Sequence, residues 1–130
     1  MTKPDIVKVI ETANWILRDG AKILSVRSNG RDRFYLPGGK IDPGETARDA
    51  IMREINEELG VDLIPDTIRE LGTFAGQGHK QPDGAIVRMT CFVADYRGTL
   101  SPAREIAELR WLTPREPHGA HGPKDHRCTV

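Results

Sequence analysis

Residues 39–61 constrain this chain more than any other stretch. They set three carboxylates, Glu54, Glu57 and Glu58, on one side of a short helix behind a loop built of glycine and proline. At 100° per residue, Glu57, Ala50, Glu54, Ala47 and Glu58 fall on one arc of roughly 100°. Ile51, Ile55 and Leu59 occupy the neighbouring arc and form a stripe that packs on a sheet. Thr46 reads as the N-cap, with Asp49 favouring the first turn. Gly60 reads as the residue that stops the helix. Glu57 and Glu58 sit near the C-terminal end, where the helix dipole disfavours negative charge. A helix selected for stability alone would carry Lys or Arg there. A cluster of that density repels itself unless a cation occupies it. Hard divalent cations take oxygen ligands, and Mg2+ is held by a few carboxylates together with waters and substrate phosphates. The stretch therefore points to a Mg2+ site, with Mn2+ as a substitute, and to phosphate chemistry.

Gly39, Glu45, Arg53-Glu54, Ile55, Glu57-Glu58, Gly60 and Val61 together resemble the Nudix box, and every fixed position of that pattern is filled. The likeness extends to Phe34-Tyr35-Leu36-Pro37-Gly38 before the box. It also covers the segment from Glu105 to Leu112, which is similar to the E-x-x-E-x-x-W strand of the MutT-like branch. The resemblance implies a Nudix fold: an α+β, αβα sandwich in which a mixed β-sheet packs between helices.

It also implies site residues. Glu54, Glu57 and Glu58 become metal ligands, joined by the Gly39 carbonyl. Glu45 and Arg53 become a supporting pair, with Arg53 beside Glu57 by i,i+4 spacing and orienting the carboxylates. Gly38 and Gly39 let the backbone approach phosphate closely. Glu54 and Glu57 count among the catalytic residues with Arg53 and Glu45. The general base stays open between Glu54 and a glutamate from another loop, Glu105 or Glu108. Either of the latter could equally be a plain solvent-facing residue. His79, in the loop with Gln77 and Lys80, is either a substrate-pocket residue or part of a solvated loop.

Length and charge agree with one compact domain. A chain of 130 residues can bury a core of its own. Nineteen Lys and Arg balance 19 Asp and Glu, so there is no general pull toward a nucleic acid polymer or an anionic membrane. The two cysteines make no disulfide framework, and Cys91 in its apolar run reads as a reduced core residue. The N-terminal residues lack an apolar leader and no stretch is long enough to span a bilayer, so the expectation is a cytoplasmic protein. Its partner is a small nucleotide, and a homodimer is left open.

Strands are expected over residues 6–17, 22–27, 34–36, 67–75, 85–96 and 106–112, with turns at Arg18-Asp19-Gly20 and Ser28-Asn29-Gly30. The domain is expected to cover residues 1–116. Residues 117–130 have almost no apolar side chain and many Pro and Gly, so a disordered or extended tail is expected where relatives place a covering C-terminal helix. That cover is then either missing or supplied by a partner chain. His118, His121, His126 and Cys128 follow no tight zinc spacing. Trp15 and Trp111 read as core residues rather than base-stacking ones.

For function, the reading is a Mg2+-dependent hydrolase of nucleoside diphosphate-linked compounds. Nucleoside triphosphates, oxidised ones included, are favoured, giving the monophosphate and pyrophosphate. The alternatives are a nucleotide-sugar or dinucleotide pyrophosphatase, and a nucleotide-sensing module that does not catalyse. An intact box speaks against the sensor.

Overall fold

The structure is a computed structural model and describes residues 8–77 and 86–113. The chain begins in the centre of a sheet. Strand β1 (Val9–Trp15) pairs in parallel with β7 (Ile86–Val93), from Val9 opposite Ile86 to Trp15 opposite Phe92. On its other side it pairs antiparallel with β4 (Gly38–Lys40). Strand β6 (Arg69–Gln77) closes the order β4-β1-β7-β6. A second, antiparallel sheet runs β2 (Arg18–Asp19), β3 (Lys22–Ser28), β9 (Ile106–Leu112). A short pair joins β5 (Asp62–Leu63) to β8 (Tyr96–Arg97).

Helix α1 (Ala47–Leu59) has the bounds its sequence signals require. The Thr46 hydroxyl accepts the Asp49 N–H at 3.0 Å, and the Asp49 carboxylate accepts the Thr46 N–H at 3.4 Å. Gly60 ends the helix at φ 73°, its N–H donating to the Asn56 carbonyl at 3.0 Å. The apolar stripe is fully buried: Ala50, Ile51, Ile55 and Leu59 join one core with Ala13 and Trp15 of β1, Leu24 and Val26 of β3, Phe92 of β7 and Ile106 of β9. The helix is thus fixed by residues from both sheets. Cys91 is buried, as read. The architecture is α+β. Among the described residues α1 is the single α-helix, so a second covering helix would have to come from outside them. No helix of the described residues is long and apolar enough to cross a membrane.

Several expected elements move. The first strand stops at Trp15, one residue beyond Asn14, its last partner in β4, and opposite Phe92, the last residue but one of β7. Ile16 donates to the Phe92 carbonyl at 2.8 Å, and the chain then crosses to the second sheet through Arg18–Asp19. Residues 34–36 form no strand. Tyr35 makes an isolated bridge to Val26, and the strand comes later, at Gly38–Lys40. Gly38 has φ 143°, and a Cβ there would collide with the Ala13 carbonyl and with Asn14. Only glycine lets this backbone lie so close to β1. Strand β6 starts at Arg69 because Pro65–Thr67 form a 3-10 turn, held by the Thr67 hydroxyl donating to the Ile64 carbonyl at 2.7 Å. The long strand expected over residues 85–96 is broken at Asp95, whose N–H donates to the Thr67 hydroxyl at 2.9 Å. Its end, Tyr96–Arg97, pairs instead with β5. The tail over residues 117–130, with its histidines and Cys128, and the loop bearing His79 lie outside the described residues.

Candidate active site

Burying Ile51, Ile55 and Leu59 forces the neighbouring arc of α1 toward the glycine strand β4. Glu58 pays most for this placement: it is 5% exposed. Its Oε1 accepts the Gly38 N–H at 3.1 Å. Burial pushes its carboxyl up to about 8, against the pull of the Gly38 N–H, and the carboxylates of Glu54 and Glu105 add to the rise. Glu54 lies beside it, largely buried. A Cβ on Gly39 would stand 2.6 Å from the Glu54 Cδ, so the missing side chain at residue 39 is the space the Glu54 carboxylate fills.

Arg53 holds this arrangement to the preceding loop. Its Nε meets Glu45 Oε2 at 2.7 Å and its Nη2 meets Glu45 Oε1 at 2.9 Å, a two-pronged pair. Its Nη1 reaches Glu54 Oε2 at 3.0 Å and Glu57 Oε1 at 3.6 Å. Its Nη2 also donates to the Lys40 carbonyl at 3.3 Å and faces Asp42 Oδ2 at 3.4 Å. The Arg53 hydrogen bonds, with the Asp42 N–H donating to Glu45 Oε1 at 2.8 Å, draw the Glu45 carboxyl down to about 2. The same contacts raise the Arg53 guanidinium above its ordinary value.

Seven of the residues singled out in the sequence therefore come together: Gly38, Gly39, Glu45, Arg53, Glu54, Glu57 and Glu58. Glu105 follows the segment that the Ala103 N–H fastens to the Glu58 carbonyl at 2.9 Å, and its charge adds to the rise of the Glu58 carboxyl. Glu108 does not join them. It lies in β9 opposite Arg27, accepts from Arg27 Nε at 3.1 Å and from Arg110 Nη2 at 2.6 Å, and both hydrogen bonds hold its carboxyl below the ordinary range. It is committed to the second sheet.

Two contributors escaped sequence reading. Asp42 adds a fourth carboxylate to Arg53, beside Glu45, Glu54 and Glu57. Asn14, buried in β1, donates to the carbonyls of Leu36 and Pro37 at 3.2 and 3.3 Å and so sets the approach to Gly38. A lone Asn between Ala13 and Trp15 was the available signal.

Whether these residues suit a divalent cation can be judged from their chemistry. Among the described residues no three acidic, His or Cys side chains are already gathered at metal-binding geometry. Glu54 and Glu57 are drawn to Arg53, and Glu58 to the Gly38 N–H. The donor set is nevertheless all oxygen. Burial first, and after it the repulsion of the neighbouring Glu54 and Glu105 carboxylates, push the Glu58 carboxyl up to about 8. A hard cation relieves that repulsion. The residues fit.

Comparison with known proteins agrees. A family model described as NUDIX domain matches residues 9–129. The CTP pyrophosphohydrolase of Escherichia coli K12 is 33% identical over 115 residues, covering 85% of this chain and 80% of that protein. An 8-oxo-dGTP diphosphatase of Haemophilus influenzae is 41% identical over 59 residues, covering 42% of this chain and 43% of its own length. The solution structure of the E. coli ORF135 protein superposes with a TM-score of 0.65 at 29% identity, covering 83% of this chain and 76% of that one. The chain belongs to the Nudix family of hydrolases. Enzymes of this family generally use divalent metals.

Proposed function

We propose that this protein is a Mg2+-dependent pyrophosphohydrolase of nucleoside triphosphates, oxidised ones included, that releases the nucleoside monophosphate and pyrophosphate. The observation that carries the reading is the close Glu54–Glu58 pair, buried behind Gly38 and Gly39 and tied by Arg53 to Glu45. The similarity to CTP pyrophosphohydrolase over most of both chains supports the substrate class.

Glu54, Glu57 and Glu58 would hold the metal, with the Gly39 carbonyl as a further donor. When bound, Mg2+ supplies charge neutralisation on the phosphates and lowers the pKa of a coordinated water. The chain's own part is positional. Arg53 keeps Glu54 and Glu57 from swinging into solvent, and Glu45 and Asp42 keep Arg53 in place. The paired glycines leave room beside the carboxylates for a phosphate chain. A proton must leave the attacking water. We take Glu54 and Glu105 as the candidate acceptors, and set Glu108 aside because its two arginines hold it in the second sheet, away from Glu54, Glu57 and Glu58.

The test is product release from a panel of canonical and 8-oxo nucleoside triphosphates, ADP-ribose, sugar nucleotides and dinucleotides, with and without Mg2+. Metal-dependent turnover concentrated on triphosphates supports the proposal. Turnover concentrated on the sugar nucleotides or dinucleotides replaces its substrate class, and nucleotide binding with no turnover on any of them replaces it with a sensor.

A further inference from the structure

Arg104 is the one non-glycine residue at positive φ among the described residues, at 55°. It stands at the second position of a turn that the Ile106 N–H closes on the Ala103 carbonyl at 3.0 Å. Positive φ there suits glycine, asparagine or aspartate, because other L-residues bring Cβ against a carbonyl oxygen. The turn is pinned on both sides. Before it, the Ala103 N–H donates to the Glu58 carbonyl at 2.9 Å and the Ser101 N–H to the Leu59 carbonyl at 3.0 Å, fastening the segment to the last turn of α1. After it, the Asn29 N–H donates to the Glu105 carbonyl at 2.8 Å, and Ile106 enters β9 opposite Ser28. A strained backbone persists only where its surroundings over-determine it, and such residues gather at functional sites.

What this turn delivers is Glu105. Glu105 is exposed, and the Ala103 N–H bond to the Glu58 carbonyl, two residues before it, sets it beside the last turn of α1, the turn that carries Glu58. We propose that Arg104 is a positioning residue whose left-handed backbone holds Glu105 at the mouth of the Glu54–Glu58 pair. This rests on the reading of that pair as the centre of the hydrolase. The backbone of Arg104 does the positioning, and its guanidinium is dispensable.

The experiment is a variant series on the full chain. It follows kcat and KM for the preferred triphosphate, Mn2+ affinity by calorimetry without substrate, and Tm. Arg104→Gly takes the same φ without strain and keeps kcat within about threefold of the parent. Arg104→Val resists positive φ and lowers kcat about tenfold or more, with KM moved far less. It also weakens Mn2+ binding in step with Glu105→Gln. The Arg104→Val/Glu105→Gln pair is no slower than Glu105→Gln alone, since the turn acts only through that carboxylate. Should Arg104→Val fail to fold, Arg104→Thr, also β-branched, shows the same ordering, while Arg104→Ala, with the parent's unbranched Cβ, stays near the parent.

The inference is overturned if Arg104→Gly loses as much as Arg104→Val, if the two losses multiply, or if Glu105→Gln turns over like the parent. Glu54→Gln separates the two levels. Retained turnover there removes the centre itself, whereas abolished turnover with a flat Arg104 series removes only this inference.

Discussion

Arg53 grips Glu45 with two nitrogens, at 2.7 and 2.9 Å, and with the same guanidinium reaches Glu54 at 3.0 Å. A residue on the helix thereby locks the loop before that helix to the carboxylates on it. Lysine cannot make this contact, having a single point charge in place of a planar fork. Arg53→Lys is therefore expected to lower kcat roughly 10–100-fold while Tm falls only slightly. Steady-state kinetics beside a thermal melt decides it, and an unchanged kcat would remove Arg53 from the site.

The same pair makes a pH prediction. The Glu45 carboxyl is drawn down to about 2 from an ordinary 4.5 by Arg53. A lowered folded-state value means that the contact's contribution is complete above the unfolded value and disappears as pH falls toward the folded one. The stability from this contact should thus be complete above about pH 4.5 and decline from there toward about pH 2, where the folded Glu45 itself takes up its proton and releases Arg53. Carboxyl 13C shifts followed against pH report this directly. In Arg53→Lys the midpoint should move upward.

Glu57 is the most exposed of the three box carboxylates and the one held least closely, at 3.6 Å from Arg53. Glu57→Gln should leave the fold intact, yet lower metal-dependent kcat by at least about a hundredfold through loss of a ligand charge. Near-parental turnover would sink its assignment as a ligand.

Gly39 allows a steric test. Alanine there puts Cβ 2.6 Å from the Glu54 Cδ, and the far end of that flexible side chain must give way. Gly39→Ala should cost little stability but more than about tenfold in kcat, because the displaced carboxylate is misplaced for metal. Comparing urea midpoints with Mn2+ affinity separates the two effects. A stable variant with parental affinity contradicts the arrangement.

Ile55 is fully buried in the core to which both sheets contribute. Ile55→Ala should lower unfolding free energy by about 2–5 kcal/mol. Urea denaturation measures it, and a loss near zero would mean that α1 does not hold the core together.

Helix α1 could be read residue by residue from its own sequence. Its caps, Thr46 and Gly60, its buried stripe and its acidic arc all depend on contacts within four positions along the chain, and periodicity records such contacts. Strand β9 was legible for a similar reason: residues 106–112 are bounded by turn signals and act as one unit. Pairing across the chain was not legible. Gly38–Lys40 becomes a strand only because β1 lies alongside it, pairing with Thr12, Ala13 and Asn14. Locally, only Arg110, two positions on in the same strand, sets Glu108 apart from Glu105, three positions away in one motif. The tertiary structure gives Glu108 to Arg27 as well, and sets Glu105 beside the last turn of α1 through the Ala103 N–H bond to the Glu58 carbonyl. Residue types and helical spacing determined which carboxylates could form a site. Strand register and burial, set by contacts distant in sequence, decided which of them stand together and at what charge.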